Sequence, residues 1–373
     1  MKKILMLGCQ DNSFYNFRKE MVLAFKEHGY SVILASPYGS KIDYFTDRGI
    51  RFVDVNMQRR GTNPFSDLNI IKQYLSIIKE YDVDIILTFS SKCAIYGGWA
   101  AKRMKKPCIV NNSGLIILPD NKKFLQPFIN MMYRFGDSHV SCMMYQNSYE
   151  RDVLNKVMNN KVSYKLIPGS GVNLEEFMFE EYPEQSEKLI FNYVARIMKG
   201  KGINEYLACA KVIKREFPNT EFRIFGSYDD EYYKDLVEEY ERNGCVKYCG
   251  VQMNMKPFIK EAHAVIHPSY SEGMTNVCLE HSSMGRVCIG SNIPGVKEII
   301  DDGKTGFLFE VKNVNSLVEA VKKFILLSHE KKVEMGRNAR IKMEKEFSRE
   351  IVTNTYIEEI SRILKQHPKM VEE

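Results

Sequence analysis

The sequence has no hydrophobic run long enough to cross a membrane. Its longest stretches without a formal charge are 28–40 and 107–119, and both contain proline and polar residues. A membrane-spanning helix needs about 20 mostly apolar residues. The amino-terminal segment begins with two lysines, but its apolar part stops at Cys9 and no small-residue cleavage site follows. This segment therefore predicts a first strand rather than a signal peptide.

Paired cysteines and metal-ligand spacings are also missing. The nine cysteines are scattered, and the closest two, Cys245 and Cys249, are four residues apart. This arrangement predicts reduced thiols in a cytoplasmic protein rather than a disulfide framework or a zinc site. Only His263 and His267 are four apart, and they lie in a predicted strand with no third ligand nearby. We expect no metal and no cofactor.

The composition is that of an ordinary globular protein, but the charge is uneven. Hydrophobic residues make up 44% and charged residues 27%, which argues against a disordered or fibrous chain. Residues 1–173 carry 24 Lys and Arg against 14 Asp and Glu, whereas residues 174–373 carry 29 against 33. The basic first half predicts an anionic partner, such as a membrane surface or a phosphorylated acceptor, or else a solvated lysine-rich surface. Nucleic acid is disfavoured, because the basic residues are spread over many segments without a recognised reading motif.

Short apolar runs without alternation are separated by helix-like segments along most of the chain. The predicted strands are 3–7, 31–35, 51–55, 85–88, 108–111, 139–142, 163–167, 189–195, 221–225, 246–249, 264–268 and 287–290. This pattern predicts parallel βαβ units and the α/β class, in two doubly wound Rossmann-like domains with a cleft between them.

The predicted domain boundaries follow from a break in this pattern. Residues 173–188 hold six acidic residues and Pro183 without a clear period, and they predict a linker. The expected division is an acceptor-side domain at 1–172, the linker, and a nucleotide-binding domain at 189–345. A carboxyl-terminal helix at 346–373 is expected to cross back to the first domain.

The first chemical motif follows the predicted strand 189–195 and opens a helix. Residues 195–202 read Ala-Arg-Ile-Met-Lys-Gly-Lys-Gly, with cations at Arg196, Lys199 and Lys201. Glycines that permit close backbone approach, a helix amino terminus and several cations together suit a diphosphate. The spacing is not that of a P-loop, and an ordinary basic turn is the alternative.

The second motif follows the predicted strand 264–268 and also opens a helix. It carries Glu272 in the loop and Glu280 inside the helix, with Gly273 allowing close approach of a ligand. Helix-terminal amides near Thr275 suit an anion, and the two carboxylates suit the hydroxyls of a ribose or a sugar ring. The alternative is that both glutamates are exposed surface residues.

Three further segments have less specific patterns. The loop 8–18 after the first strand resembles a nucleotide loop in position, without its glycine spacing, and predicts a phosphate or acceptor role. Asp82 and Asp84 form a D-x-D pair, but directly before a strand, where parallel sheets do not bind ligands. Residues 122–135 mix cations with large apolar residues, and they predict either a membrane-surface helix or a core-facing helix.

The two chemical motifs, in this order, resemble those of the family 4 retaining glycosyltransferases of GT-B architecture. The matching text is ARIMKGKG, then FRIFG, then HPSYSEGMTNVCLEHSSMGRVCIGSNIPGVKEIIDDGKTGFLF, and IPGSGVNLEEF is typical of the domain junction. The two glutamates match the family's pair separated by seven residues. Among such enzymes the sequence looks most like those that build bacterial capsule, O-antigen or other surface polysaccharides.

The resemblance implies a metal-independent, retaining hexosyltransferase that uses a nucleotide diphosphate sugar, with UDP as the expected nucleotide. Its partners would be that donor, a lipid-linked or oligosaccharide acceptor, and an anionic membrane at the inner face of which a cytoplasmic protein works. Arg196 and Lys201 would bind the diphosphate, Glu280 the ribose and Glu272 the sugar, and Arg196, Lys201 and Glu272 are the expected catalytic residues. The donor-binding residues would be Arg196, Lys201, Glu272, Gly273, Met274, Thr275, Asn276 and Glu280. The acceptor-side candidates are Asn12, Ser13, Arg18, Ser113 and Gly114.

The sequence departs from the family pattern at two positions, and two other functions stay open. Many relatives carry a histidine before a glycine turn after the fifth strand, where this chain has Asn111 and Asn112. His281 stands where a small residue is usual. The alternatives are a sugar-nucleotide epimerase of the same architecture and a non-catalytic scaffold that binds nucleotide sugars.

Overall fold

The computed structural model of the protein describes residues 1–57, 64–111, 124–159, 161–185 and 188–367. The chain forms two compact units. Unit 1 consists of Met1–Ser170 together with Arg349–Glu373, and unit 2 consists of Gly171–Ser348. Within the described ranges, no helix is long and apolar enough to cross a membrane.

A parallel sheet forms the centre of unit 1. Its strands, in the described part of the chain, are Lys3–Gly8 (β1), Ser31–Ser36 (β2), Arg51–Asp54 (β3), Ile85–Phe89 (β4), Cys108–Asn111 (β5), Cys142–Tyr145 (β6) and Tyr164–Leu166 (β7). Their order is β3-β2-β1-β4-β5-β6-β7, and each neighbouring pair is parallel. All five residues of β4 are buried, as expected for a central strand covered on both faces.

Helices cover both faces of this sheet. They are Asn12–Glu27 (α1), Asp43–Thr46 (α2), Pro64–Glu80 (α3), Ser91–Arg103 (α4), Gln126–Asp137 (α5) and Ser148–Val157 (α6). One apolar core joins α1 to one face, and a second core joins α3, α4 and α6 to the other. Helices α4 and α5 approach closely, since a Cβ at Gly98 would lie 2.4 Å from the Gly136 carbonyl oxygen.

Unit 2 repeats this plan around a smaller parallel sheet. Its described strands are Leu189–Val194 (β8), Thr220–Phe225 (β9), Lys247–Tyr248 (β10), Ala264–His267 (β11), Val287–Ser291 (β12) and Gly306–Phe309 (β13), in the order β10-β9-β8-β11-β12-β13. The helices are Ile203–Glu216 (α7), Glu231–Arg242 (α8), Lys256–Glu261 (α9), Asn276–Ser283 (α10), Val314–Ile325 (α11) and His329–Glu346 (α12). The doubly wound α/β fold predicted from the sequence is therefore confirmed for both units.

The last helix, Arg349–Gln366 (α13), belongs to unit 1. Its residues Val352, Tyr356, Ile360 and Ile363 are buried in the core that also contains α1. Where the chain leaves unit 2, the Val172 amide donates a hydrogen bond to the Phe347 carbonyl, 2.8 Å away. The two ends of unit 2 are thus adjacent to each other.

Several local predictions differ from the structure. The strand predicted at 139–142 is wrong, because β6 begins only at Cys142 and uses the fully buried run Cys-Met-Met-Tyr. Strand β13 was not predicted at all. Residues 173–185 of the predicted linker lie within unit 2, where the Asn173 side chain accepts hydrogen bonds from the amides of Glu175 and Glu176.

Candidate active site

The two predicted motifs meet at one edge of the sheet of unit 2. Strands β8 and β11 are parallel neighbours, so the loops that follow them leave from the same edge. The Tyr270 amide donates a hydrogen bond to the Gly200 carbonyl, 3.0 Å away. Gly202 has a φ of 71°, and a Cβ there would lie 2.0 Å from the Pro268 carbonyl oxygen. Glycine is therefore required for this contact between the loops.

Glu272 is the centre of the contact. Its Oε1 atom lies 2.6 Å from the Lys201 ammonium and accepts a hydrogen bond of 3.0 Å from Nε2 of His267. The Glu272 side chain is 14% exposed, the Lys201 side chain 24% and the His267 side chain 5%. One carboxylate oxygen thus holds together a cation from the first motif and the last residue of β11.

The surroundings of Glu272 stabilise its ionised form. Burial by itself would raise the pKa of this carboxyl, but the hydrogen bond and charge of His267 and the ammonium of Lys201 together hold the pKa well below its ordinary value. The carboxylate is therefore ionised at neutral pH. An anionic group at this position can accept hydrogen bonds from sugar hydroxyls or stabilise positive charge on a reacting carbon.

Helix α10 starts directly beside this pair. Thr275 is its N-cap and is buried, and its side chain makes no capping hydrogen bond to the first turn. Gly295 has a φ of 83°, and a Cβ there would lie 2.4 Å from the Gly273 carbonyl oxygen, so the loop after β12 supports the loop of Glu272. Met274, which precedes the N-cap, is buried, whereas Asn276 and Glu280 of α10 are half-buried. The amino end of α10 and its positive dipole are well placed for an anion.

Arg196 lies in the same loop as Lys201, but the structure does not join it to Glu272. Its guanidinium is 3.1 Å from Asp229, and its side chain is 46% exposed. Of the predicted donor-site residues, the structure brings Lys201 and Glu272 into contact. Gly273 and Thr275 follow Glu272 in the same loop. Arg196 lies at the same edge with a carboxylate partner of its own.

Two features of this site were not found from the sequence. His267 was considered only as half of a His263/His267 metal pair and set aside, although it ends the buried strand β11 and precedes Glu272 by five positions. The second is a pair in which the Tyr270 hydroxyl donates to Glu205 across 2.7 Å. Glu205 is buried in the first turn of α7, and the Lys312 ammonium lies 4.9 Å from the Tyr270 ring. This pair fixes the loop that carries Glu272 against α7.

His281, whose role the sequence left open, is a core residue. It is 1% exposed, and its Nδ1 lies 2.8 Å from the Val277 carbonyl oxygen. Burial lowers the pKa of its imidazole to about 3, so the ring is neutral at physiological pH. Its other nitrogen faces the Asn192 amide at 3.5 Å.

Three of the acceptor-side candidates, Asn12, Ser13 and Arg18, lie in unit 1 after the carboxyl end of β1. Asn12 and Ser13 form the first turn of α1, which the Asp11 side chain caps by accepting from the Asn12 amide at 2.7 Å. Arg18 is 6% exposed, donates to the Ser13 carbonyl at 2.8 Å and lies 4.1 Å from the Phe89 ring centre. Burial lowers the pKa of its guanidinium to about 10. Ser113 and Gly114 lie outside the described residues.

Arg18 has no carboxylate partner among the residues that the structure describes. Ser90, which follows Phe89 in the sequence, adopts a φ of 107° at the N-cap of α4, a conformation that L-residues rarely occupy. The Ser90 hydroxyl is buried and has no hydrogen-bond partner in the described part of the chain. Burying a cation without its counterion costs free energy, so the burial of Arg18 is not explained by a gain in stability.

The D-x-D pair lies at the opposite edge of the sheet. Asp84 is buried, accepts from the Lys3 amide at 2.8 Å and pairs with the Lys2 ammonium at 3.3 Å. Asp82 pairs with Lys106 at 3.3 Å. Within the described ranges, no group of three His, Cys, Asp or Glu side chains is close enough together to hold a metal ion.

The geometry of unit 2 defines the chemical class. A parallel sheet presents a lysine, an ionised glutamate and an uncapped helix amino terminus at its carboxyl edge, which suits a phosphorylated sugar donor. The sequence profile described as "Glycosyl transferases group 1" matches residues 175–342, and that of "Glycosyl transferase 4-like" matches residues 3–147. The two matches together span most of the chain. The protein is a glycosyltransferase of GT-B architecture and belongs to family 4.

Individual relatives agree with this assignment. The chain is 23% identical to the N,N'-diacetylbacillosaminyl-diphospho-undecaprenol alpha-1,3-N-acetylgalactosaminyltransferase of Campylobacter jejuni, over 95% of this chain and 96% of the relative. It is 24% identical to the UDP-Gal:alpha-D-GlcNAc-diphosphoundecaprenol alpha-1,3-galactosyltransferase of Escherichia coli, over 78% of each chain. The crystal structure of a glycosyltransferase from Rickettsia africae has the same fold, with a TM-score of 0.77 and 19% identity over 98% of this chain and 99% of the other.

Proposed function

We propose that this protein is a retaining, metal-independent transferase that moves a hexosyl or N-acetylhexosaminyl unit from a UDP-sugar to a lipid-diphosphate-linked acceptor in surface polysaccharide synthesis. The observation that carries the proposal is the contact of Lys201 and His267 with one oxygen of Glu272 beside the amino end of α10. The acceptor class is supported by two relatives whose names specify diphospho-undecaprenol substrates. One of these names also specifies UDP-Gal as donor.

In this proposal, the diphosphate of the donor lies between Lys201 and the first turn of α10. The ammonium and the helix-terminal amides stabilise the negative charge that grows on the leaving phosphate. Arg196 binds the same diphosphate after exchanging its contact with Asp229. These groups supply the charge stabilisation that a divalent cation provides in metal-dependent transferases.

Glu272 and Glu280 bind the two sugars of the donor. The Glu272 carboxylate accepts hydrogen bonds from hydroxyls of the transferred sugar and stabilises positive charge at its anomeric carbon. Glu280 accepts from the ribose hydroxyls. The acceptor hydroxyl oxygen attacks the anomeric carbon on the face from which the diphosphate departs. The bond from that carbon to the phosphate oxygen breaks, and the departing phosphate oxygen takes the acceptor proton, so the configuration is retained.

Helix α5 supplies the surface that reaches a lipid-linked acceptor. Phe128, Met131 and Phe135 lie on one stripe of the helix and are 55%, 56% and 57% exposed, and Phe124, just before the helix, is 76% exposed. An apolar stripe of this length on a unit with a basic sequence favours the interface of an anionic membrane. The protein would then work at the inner face of the cytoplasmic membrane.

The transfer reaction is tested with purified protein, UDP-galactose or UDP-N-acetylgalactosamine, and an undecaprenyl-diphosphate-linked sugar. We expect a product with the donor's anomeric configuration by NMR, formed at the same rate with and without EDTA. Glu272→Gln should lower the rate at least about 100-fold, since it removes charge that acts on the transition state. The control Glu346→Gln changes an exposed residue of unit 2 and should leave the rate unchanged.

Other outcomes decide against parts of the proposal. An inverted product excludes the retaining mechanism, and loss of activity with EDTA excludes metal independence. Conversion of the UDP-sugar without an acceptor would indicate the epimerase. For the membrane surface, Phe128→Ser with Met131→Ser should reduce co-sedimentation with vesicles, whereas Leu326→Ser, which changes an exposed leucine in unit 2, should not.

A further inference from the structure

A cavity lies at the edge of the unit 1 sheet opposite to Asn12 and Arg18. Its volume is about 580 Å³. It is built from the turns that precede β5, β6 and β7 and from the end of α13. Because all of these strands are parallel, their amino ends meet at this edge, whereas Asn12 and Arg18 follow the carboxyl end of β1. Within unit 1, the cavity is therefore separate from Asn12 and Arg18.

The walls of this cavity are strongly basic. The cationic and titratable residues that line it are Lys102, Lys105, Lys106, His139, Lys161, Arg362 and His367. No aspartate or glutamate lines it among the described residues. Lys106 is paired with Asp82, and Arg362 is paired with Glu359 at 2.5 Å. In the described part of the chain, Lys102, Lys105 and Lys161 have no carboxylate partner.

The backbone at Lys105 is strained in a way that favours this arrangement. Lys105 has a φ of 53°, in the left-handed region, at the position that closes α4. Its amide donates to the Lys102 carbonyl at 3.2 Å, and the Lys106 amide donates to the Ala101 carbonyl at 3.0 Å. Such helix ends usually carry glycine, which adopts this conformation without strain. A lysine here costs stability and places one more ammonium at the cavity.

Four separate parts of the chain supply the walls: 101–107, 139–141, 161–163 and 362–367. The cations are therefore close together only when unit 1 is folded and α13 is in place, where Ile363 is buried in the core. Like charges brought together in this way repel one another, and a bound anion relieves the repulsion. The cavity is preorganised for a ligand of negative charge.

We propose that this cavity binds the phosphate group of an anionic ligand. The available cations are three lysine ammoniums, which act as separate point charges around a phosphate, whereas the one arginine fork already binds Glu359. The hydroxyl of Ser141 accepts from the Cys108 amide at 3.3 Å and has its own hydrogen left to donate. The phosphate belongs either to the headgroup of an anionic phospholipid or to a soluble phosphorylated compound. The proposal goes beyond sugar transfer and holds whether or not transfer occurs.

The test compares two pairs of charge reversals in the full chain. Lys102→Glu with Lys161→Glu changes the cavity, and Lys323→Glu with Lys345→Glu changes two exposed lysines of unit 2 by the same net charge. Binding is measured to vesicles of phosphatidylcholine with and without phosphatidylglycerol, and to soluble glycerol 3-phosphate. The cavity pair should weaken binding of at least one phosphate probe about 30-fold relative to the control pair, or ~2 kcal/mol.

The two probes distinguish the source of the phosphate. Loss on phosphatidylglycerol vesicles alone assigns a lipid headgroup, and loss of glycerol 3-phosphate binding assigns a soluble ligand. Lys105→Gly adds a variant that we expect to fold, because glycine relieves the strain at this left-handed position. It should melt at the same or a higher temperature and still bind the phosphate probe several-fold more weakly. Equal binding of both probes by the cavity pair and the control pair overturns the proposal.

Discussion

The hydrogen bond from His267 to Glu272 offers the sharpest test of the donor site. It is 3.0 Å long, and both side chains are largely buried, so water cannot easily replace it. Hydrogen bonds to charged groups contribute about 1.5–3 kcal/mol. His267→Asn removes this bond, because the shorter amide does not reach the position of Nε2. For a unit the size of unit 2, each kcal/mol shifts the melting temperature by about 2–4 °C, so we expect a decrease of roughly 3–12 °C.

The same change should weaken donor binding by a factor that stability alone does not explain. Without His267, Lys201 is the remaining side-chain partner of Glu272 among the described residues, and in the proposed complex the donor diphosphate shares this lysine. Calorimetric titration with UDP and with the UDP-sugar should show a larger loss for the sugar donor. His267→Gln should restore most of both properties, since its amide nitrogen reaches about as far as imidazole Nε2. The control is His263→Asn, which truncates a histidine that is equally buried but hydrogen-bonds the Ile190 amide instead.

Two results would refute this reasoning. One is a His267→Asn protein that binds the sugar donor as tightly as the wild type. The other is a Gln variant that is as damaged as the Asn variant, because the effect would then come from the loss of the ring and not from the hydrogen bond. A His263→Asn protein that is less stable but binds donor normally would complete the comparison.

Three further changes have directions that the structure fixes. The pKa of Glu272 is lower in the folded protein than in the unfolded chain, so its contribution to stability is present above pH ~4.5 and is lost as the pH falls further. Urea unfolding of Glu272→Gln should therefore depend less on pH below that point, and an unchanged pH profile would contradict it. Gly202→Ala should lower stability by well over the ~1–2 kcal/mol of left-handed strain, because the new Cβ would also clash with the Pro268 carbonyl. Gly244→Ala should cost only the strain, because a Cβ there has no neighbouring atom within 4 Å. Equal losses for the two variants would exclude a clash with Pro268. Arg18→Met should leave the melting temperature unchanged or raise it, while increasing the KM for the lipid-linked acceptor. Arg286→Met should instead destabilise the protein, because the Arg286 guanidinium donates hydrogen bonds to five carbonyl oxygens.

The sequence predicts most of this fold because its strands are central and parallel. A buried central strand such as Ile85–Phe89 is apolar throughout, and it is recognisable without any knowledge of its neighbours. The strands at the edges of the sheets are harder to recognise from the sequence. Strand β13 begins with Gly306 and contains only four residues, and its identity depends on pairing with β12. The strand predicted at 139–142 was misplaced because Val140 and Cys142 alternate with polar residues. The actual strand starts three residues later, at Cys142.

The candidate site shows the same limit. Spacing along one loop and helix predicts that Glu272 and Glu280 face similar surroundings, because both are close in sequence. The contact of Glu272 with Lys201 joins residues 71 positions apart, and it follows from the adjacency of β8 and β11. The role of His267 depends on which way a strand-end side chain points, and period-two alternation is not visible in a fully buried strand. Nothing in the sequence near Arg18 indicates that its guanidinium is buried without a carboxylate.

The return of α13 to unit 1 reverses the order in which the two units can be completed on the ribosome. Domains usually fold from the amino terminus as they are synthesised. Here the core of unit 1 lacks Val352, Tyr356 and Ile360 until nearly the whole chain has been made. Unit 2, whose ends already pair through Val172 and Phe347, is finished first. Until α13 is translated, one apolar face of the unit 1 sheet is therefore incompletely covered in the nascent chain. Ribosome-bound chains that end before residue 349 should be more sensitive to protease in unit 1 than in unit 2.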